Sequence, residues 1–337
     1  MQTVYFSTGT AIVLTLLATT MWGSWMQVIK HRKDYPLSGI SFLLYSFSFV
    51  FIWIITLLLA PVLLPDGIIA TTASNINTIP RILIGGAMMG LGMLINLQVM
   101  QAVGLLLSTA ISGALGSLLG LTTSIMQEGV PAGSNSITLL ICCTCVFIVA
   151  GFVCNHSAIL RDRDKAAANS QSADKSSRGG VTTKMILLLL LSTLLVNGWS
   201  IGTASGTSNG VPPILTCAYM ATGSFFSVAI VCGIYYTITK KWAIVLCWGS
   251  SKKPLVLGLI GAICHYGGNL ISIYAMPVIS ATLSFLFGRT ANIWTYFWGF
   301  YYREFAGAKK RTYIVLSIGI ALYFFGIALL GFFKYAN

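Results

Sequence analysis

The sequence is short of charge. Of its 337 residues only 8% are Asp, Glu, Lys or Arg, while 56% are hydrophobic. Soluble domains carry about 25% charged residues, so a water-soluble globular fold is excluded and an all-α integral membrane protein in a lipid bilayer is expected. Acids are scarcest of all: Asp34, Asp66, Glu128, Asp162, Asp164, Asp174 and Glu304 are the full set. All seven lie in expected loops or at the ends of apolar runs. A membrane enzyme needs a polar catalytic cluster near an interface, and with three histidines in the chain the spans offer none, so no catalytic residues and no enzymatic activity are expected. Cys142, Cys143 and Cys145 cluster in sequence, but no Cys or His pair answers them at zinc-ligand spacing. No metal and no cofactor is therefore expected. Residues 1–20 lack a basic stretch ahead of their apolar run, so a cleavable signal peptide is not expected either.

Long apolar runs are what the sequence has in abundance. A span needs about 20 apolar residues, and such runs occur at 8–29, 39–61, 82–102, 104–126, 136–160, 184–203, 214–239, 254–275, 278–300 and 312–333. The third and fourth nearly touch at Gly104 and the eighth and ninth at Pro277, which predicts two tight helical hairpins. The net charge of +13 does not indicate nucleic acid, because Lys and Arg punctuate the gaps between runs instead of sharing one face. All but Arg81, Lys334 and Arg289 fall in the loops after spans 1, 5, 7 and 9. Basic residues concentrate in cytoplasmic loops. The odd-numbered loops are thus cytoplasmic, the chain is a multi-pass protein of the plasma (inner) membrane, and both termini are extracytoplasmic.

Residues 161–183 are polar and of low complexity, and read as a cytoplasmic flexible linker. They divide the chain into 1–160 and 184–337, five spans each. The halves match in fragments: GMLINLQVMQAVGLLLSTAIS (92–112) aligns with HYGGNLISIYAMPVISATLSF (265–285), placing Asn96 on Asn269. Small residues recur at Ser108, Ser112, Gly116 and Gly120, and span 9 answers with Ser280, Ser284, Gly288 and Asn292. Trp22-Gly23-Ser24-Trp25 in span 1 faces Asn197-Gly198-Trp199-Ser200 in span 6. Five is odd, so the second half enters from the opposite side. That makes a 5+5 inverted-topology repeat of ten transmembrane helices, an arrangement of many secondary transporters with the solute site between the repeats.

With the hairpin asparagines and a carboxylate closing spans 4 and 9 (Glu128 and Glu304), this pattern resembles the drug/metabolite transporter superfamily. Leu-Leu-Pro at 63–65, GGAMMGLGMLIN at 85–96 and WGFYYREFAGAKKRTYIVLSIG at 298–319 are similar to the rhamnose–proton symporter family. The GGN at 267–269 is also similar to its relatives, the glucose/ribose porters. The ureide permeases, another related group, carry a long central loop with a nucleotide-binding-like motif, which 161–183 lacks. The resemblance implies solute uptake coupled to a proton gradient.

The site is read from residue chemistry. Arg289 stands midway along a span, and an ionisable group at that depth is a functional-site hypothesis by default. Substrate-binding candidates are Trp22, Asn96, Asn197, Trp199, Asn269, Arg289, Asn292 and Tyr296: amides for hydroxyl groups, and aromatic faces for C–H surface with a polar handle. His265 is the candidate for proton coupling, being a side chain within the spans whose ordinary charge change falls near neutrality. Glu128 and Glu304 are gating or helix-end candidates. Each has a competing structural role. The asparagines suit interhelical hydrogen bonding, the tryptophans suit interface anchoring, and Arg289 could pair with backbone carbonyls. The expected function is a secondary active transporter importing a small polar metabolite, a monosaccharide first, by proton symport with alternating access. Organic anions, ureides, nucleobase derivatives and an exporter are the alternatives, with an integral membrane enzyme the remote one. The expected partners are a small-molecule solute and the bilayer, with no nucleic acid; a monomer and a homodimer both fit.

Overall fold

The computed structural model describes residues 6–31, 34–103, 105–129, 136–168 and 183–336. These are helical, with no strand among the described residues. In chain order the helices are α1 (Thr8–Trp25), α2 (Gln27–Lys30), α3 (Leu37–Leu63), α4 (Gly67–Ser74), α5 (Ile79–Val103), α6 (Leu105–Glu128), α7 (Ser136–Ala168) and α8 (Thr183–Val196). There follow α9 (Gly198–Ser208), α10 (Pro213–Ile238), α11 (Trp242–Val245), α12 (Lys253–Ile279), α13 (Ala281–Gly288), α14 (Ala291–Tyr301) and α15 (Lys310–Ala336). Among the described residues eight helices are long and apolar enough to cross a membrane: α1 with α2, α3, α5, α7, α8 with α9, α10, α12 and α15. The chain is a multi-pass membrane protein. The expected fourth span coincides with α6, and the expected ninth with the broken pair α13 and α14.

Local chemistry sets the ends. The Ser7 hydroxyl accepts the Thr10 amide at the start of α1 (3.2 Å), satisfying one of the donors a helix N-terminus leaves open. Pro213 sits in the first turn of α10, where its missing N–H costs nothing. Inside the spans, hydroxyls bond back to their own helix. Thr15 donates to the Ala11 carbonyl (2.9 Å) and Thr56 to that of Ile52 (2.8 Å). An unpaired polar group in hydrocarbon is costly, and such bonds within the helix avoid that cost. Between α2 and α3, Tyr35 donates to the Val245 carbonyl (2.8 Å). Burial raises the pKa of its phenol, so it stays a neutral donor.

The packing pairs the halves. α1 lies along α12, α5 along α8 and α9, α3 against α10 and α12, and α7 along α15, while α6 touches α7, α8, α9 and α13. Small residues bring α5 and α9 to backbone contact: a Cβ on Gly85 would lie 2.6 Å from the Gly202 Cα. Close approach at glycine is how membrane helices gain dispersion contact without a hydrophobic drive between them.

Three details depart from expectation. Pro277 lies inside α12; the turn into α13 is at Ser280, whose φ of 73° is in the left-handed half of the map. The expected ninth span is interrupted at Arg289 and Thr290. Finally, α7 runs through the first residues of the expected linker, to Ala168. Asp164 holds it there by accepting the Lys309 amide (2.8 Å) and the Thr312 hydroxyl (2.7 Å) at the start of α15. The rest of the expected linker, 169–182, lies outside the described residues, as does Gly104.

Candidate functional site

Three helix interruptions converge on one cavity. α1 passes to α2 at Met26, α8 to α9 at Asn197, and α13 to α14 at Arg289 and Thr290. Met26, Asn197 and Arg289 all line a cavity of about 300 Å³. Discontinuous helices at a membrane cavity free backbone groups and place side chains that a straight helix would pack away. The volume is at the lower end of the range for small-molecule sites, about 300–1,000 Å³.

The structure brings together most of the candidates read from the sequence. Trp22, Asn96, Asn197, Trp199, His265, Asn269, Arg289 and Asn292 all line this cavity. Trp22 and Trp199 meet edge to face, with centroids 5.6 Å apart, and Phe285 continues the aromatic wall beyond Trp199. The Phe285 ring closes over Gly120, where any larger side chain would collide with it. The Trp22 indole donates to Asn269 Oδ1 (2.9 Å). Asn197 donates to the Thr123 hydroxyl (2.7 Å), and Asn292 to the Tyr323 hydroxyl (2.9 Å).

What these bonds leave over is more informative. Asn269 Nδ2, Trp199 Nε1, Asn197 Oδ1, Ser112 Oγ, Ser200 Oγ and His265 Nδ1 are buried without a partner, and every one of these residues lines the same cavity. Asn269 is 3% exposed and His265 5%. Buried polar groups are ordinarily hydrogen-bonded, and each exception calls for an explanation. Here donors and acceptors are grouped around one space. His265 is otherwise surrounded by the rings of Trp25, Tyr266 and Tyr45, at 5.2, 5.4 and 5.9 Å.

Arg289 donates through Nη2 to the Gly116 carbonyl (3.2 Å), with its guanidinium 4.2 Å over the Phe285 ring. Gly116 makes room for it: a Cβ there would lie 3.4 Å from Nη1. Among the described residues Arg289 makes no ion pair.

Two candidates are elsewhere. Tyr296 donates to Asn155 Oδ1 in α7 (3.1 Å) and is absent from the cavity lining. Glu304 follows α14 and pairs with Lys30 at the end of α2 and with Arg161 in α7 (3.4 Å). Beside this cluster, His31 Nε2 lies 2.9 Å from the Tyr302 hydroxyl. The Glu128 side chain lies outside the described residues. Sequence reasoning did not single out Thr193, Met26, Met89, Met93 or Val196 as lining residues. Methionine and valine in a span carry no signal that separates a cavity wall from helix packing. No protein-family model matches the chain, and no curated protein matches it.

Proposed function

We propose that this chain is a secondary active transporter that takes up a small polar solute through the central cavity. One observation carries the reading: six buried polar atoms without partners, supplied by α6, α9, α12 and the junction of α8 with α9, face a single space among aromatic rings. A polyhydroxylated, sugar-sized solute suits that wall, since its hydroxyls both donate and accept and its C–H faces stack on indole.

The ten-span inverted repeat supports the reading. α6 has 24 residues, about 36 Å of helix, enough to cross. Exchanging the halves turns the packing of α1 on α12 into that of α8 and α9 on α5, and turns α3 on α12 into α10 on α5. Both termini are then extracytoplasmic in the plasma membrane, by the distribution of Lys and Arg. His265 is the proton-coupling residue of this reading, and a proton gradient drives accumulation.

The test is a thermal-shift panel on the purified chain with sugars, sugar acids, nucleobases and ureides, followed by uptake of the stabilising solute into proteoliposomes. A ligand raises stability by RT ln(1 + [L]/Kd). A shift confined to one class, with uptake driven by an imposed pH gradient, is the expected result. Absence of both for every class overturns the proposal.

A further inference from the structure

We infer that the solute carries a single carboxylate, which pairs with Arg289 while the rest of the molecule is polyhydroxylated; this rests on the transporter reading above and names its substrate class. Among the described lining residues Arg289 is the one charged group; no Asp, Glu or Lys stands with it. A buried charge without a counter-charge is strongly disfavoured, and the partners present are neutral: the Gly116 carbonyl at 3.2 Å and the Phe285 ring at 4.2 Å. A guanidinium is a planar fork with several N–H donors, suited to bidentate contact with a carboxylate. The carbonyl takes one of them and the ring covers a face, which leaves the remaining edge for a ligand.

The sign and size of the charge follow. One unpaired cation is neutralised by one monoanion. A phosphate dianion would leave excess negative charge in a wall that offers no second cation. The other unpartnered atoms, Asn269 Nδ2, Asn197 Oδ1 and the Ser112 and Ser200 hydroxyls, include acceptors, which a second carboxylate cannot satisfy and hydroxyls can. The chemistry is that of a sugar acid.

The experiment uses the full chain in detergent, with glucuronate, glucuronamide and glucose as probes. They share most of a hydroxylated ring and differ in the charge of one end. The structure leads us to expect that glucuronate binds at least about tenfold more tightly than the amide or the neutral sugar, a difference of about 1.4 kcal/mol. R289Q removes that preference and R289K keeps part of it, because the charge survives without the fork. The comparison of acid with amide on the unaltered protein stands even where R289Q does not fold. Equal binding of the three probes, or an acid preference that persists in R289Q, overturns the carboxylate while leaving the transport reading intact. If no probe and no other polar solute binds or is taken up, the transport reading fails and this inference with it.

Discussion

Trp22 shows how one residue can belong both to the bundle and to the cavity wall. The Trp22 indole donates to Asn269 Oδ1 and its ring packs against Trp199. Trp22→Phe keeps most of the ring and deletes the donor, leaving a buried amide oxygen unpaired. Such a loss costs about 1–3 kcal/mol. A fall in thermal stability of that order is expected, together with weaker solute binding; unchanged stability and affinity in W22F would show that the bond contributes nothing. His265 is different. Its Nδ1 lacks a partner and aromatic rings fill its other sides, so its removal strands no partner atom of the protein. If the chain is the transporter proposed above, His265→Ala is expected to fold, to exchange labelled for unlabelled solute across liposomes, and to lose accumulation driven by a pH gradient. Intact accumulation in H265A excludes the residue from coupling.

At the scale of the helix, the sequence was legible wherever a continuous hydrogen-bond ladder follows an apolar run, and illegible where the ladder breaks. Most of the long runs appear as helices within a few residues of their expected bounds, α7 running further to Ala168, because hydropathy sums over a whole segment. The interruption at Arg289 and Thr290 leaves hydropathy unchanged, so a window cannot detect it. Residue chemistry groups Asn292 and Tyr296 with Arg289 as candidates on one expected span. Past the break Asn292 still lines the cavity, while Tyr296 reaches Asn155 in α7. The hairpin before it was misplaced for a related reason. Pro277 drew the turn towards itself, yet a proline in a membrane helix is tolerated where neighbours satisfy the freed carbonyl. The turn falls at Ser280, φ 73° and ψ 155°, where its hydroxyl also accepts the Leu283 amide (3.3 Å). That backbone region belongs almost entirely to glycine and costs others about 1–3 kcal/mol. Ser280→Ala keeps the strain and loses the cap; Ser280→Gly loses the cap and relieves the strain. S280G is therefore expected to be the more stable of the two by about 1 kcal/mol or more, read as the difference in their thermal unfolding. The reverse order would mean that this turn is not held as described.

For the whole molecule, the inverted repeat and the site depend on one count, whether α6 and the broken pair α13 and α14 cross the bilayer. Ser74, at the end of α4, and Ser250, between α11 and α12, are both exposed and make the crossing of α6 measurable. Between them lie α5, α6, α7, α8 with α9, and α10. If all five cross, the two serines are on opposite sides of the membrane. If α6 does not cross, four crossings remain and they share a side. Cysteine introduced at Ser74 or Ser250, in a background cleared of native cysteines, is labelled in intact cells by a membrane-impermeant maleimide only where it faces outward. The ten-span arrangement with outward termini predicts labelling of S74C in intact cells, and of S250C only after permeabilisation, because Lys252 and Lys253 follow Ser250 on the basic side. Labelling of both from one side removes α6 from the crossing set. The two halves would then no longer be related by inversion, and Gly116, the residue that accepts the Arg289 guanidinium, would no longer lie at the middle of a span. The symmetry of the bundle and the membrane depth of the Gly116 carbonyl that accepts from Arg289 therefore rest on the same pair of labels.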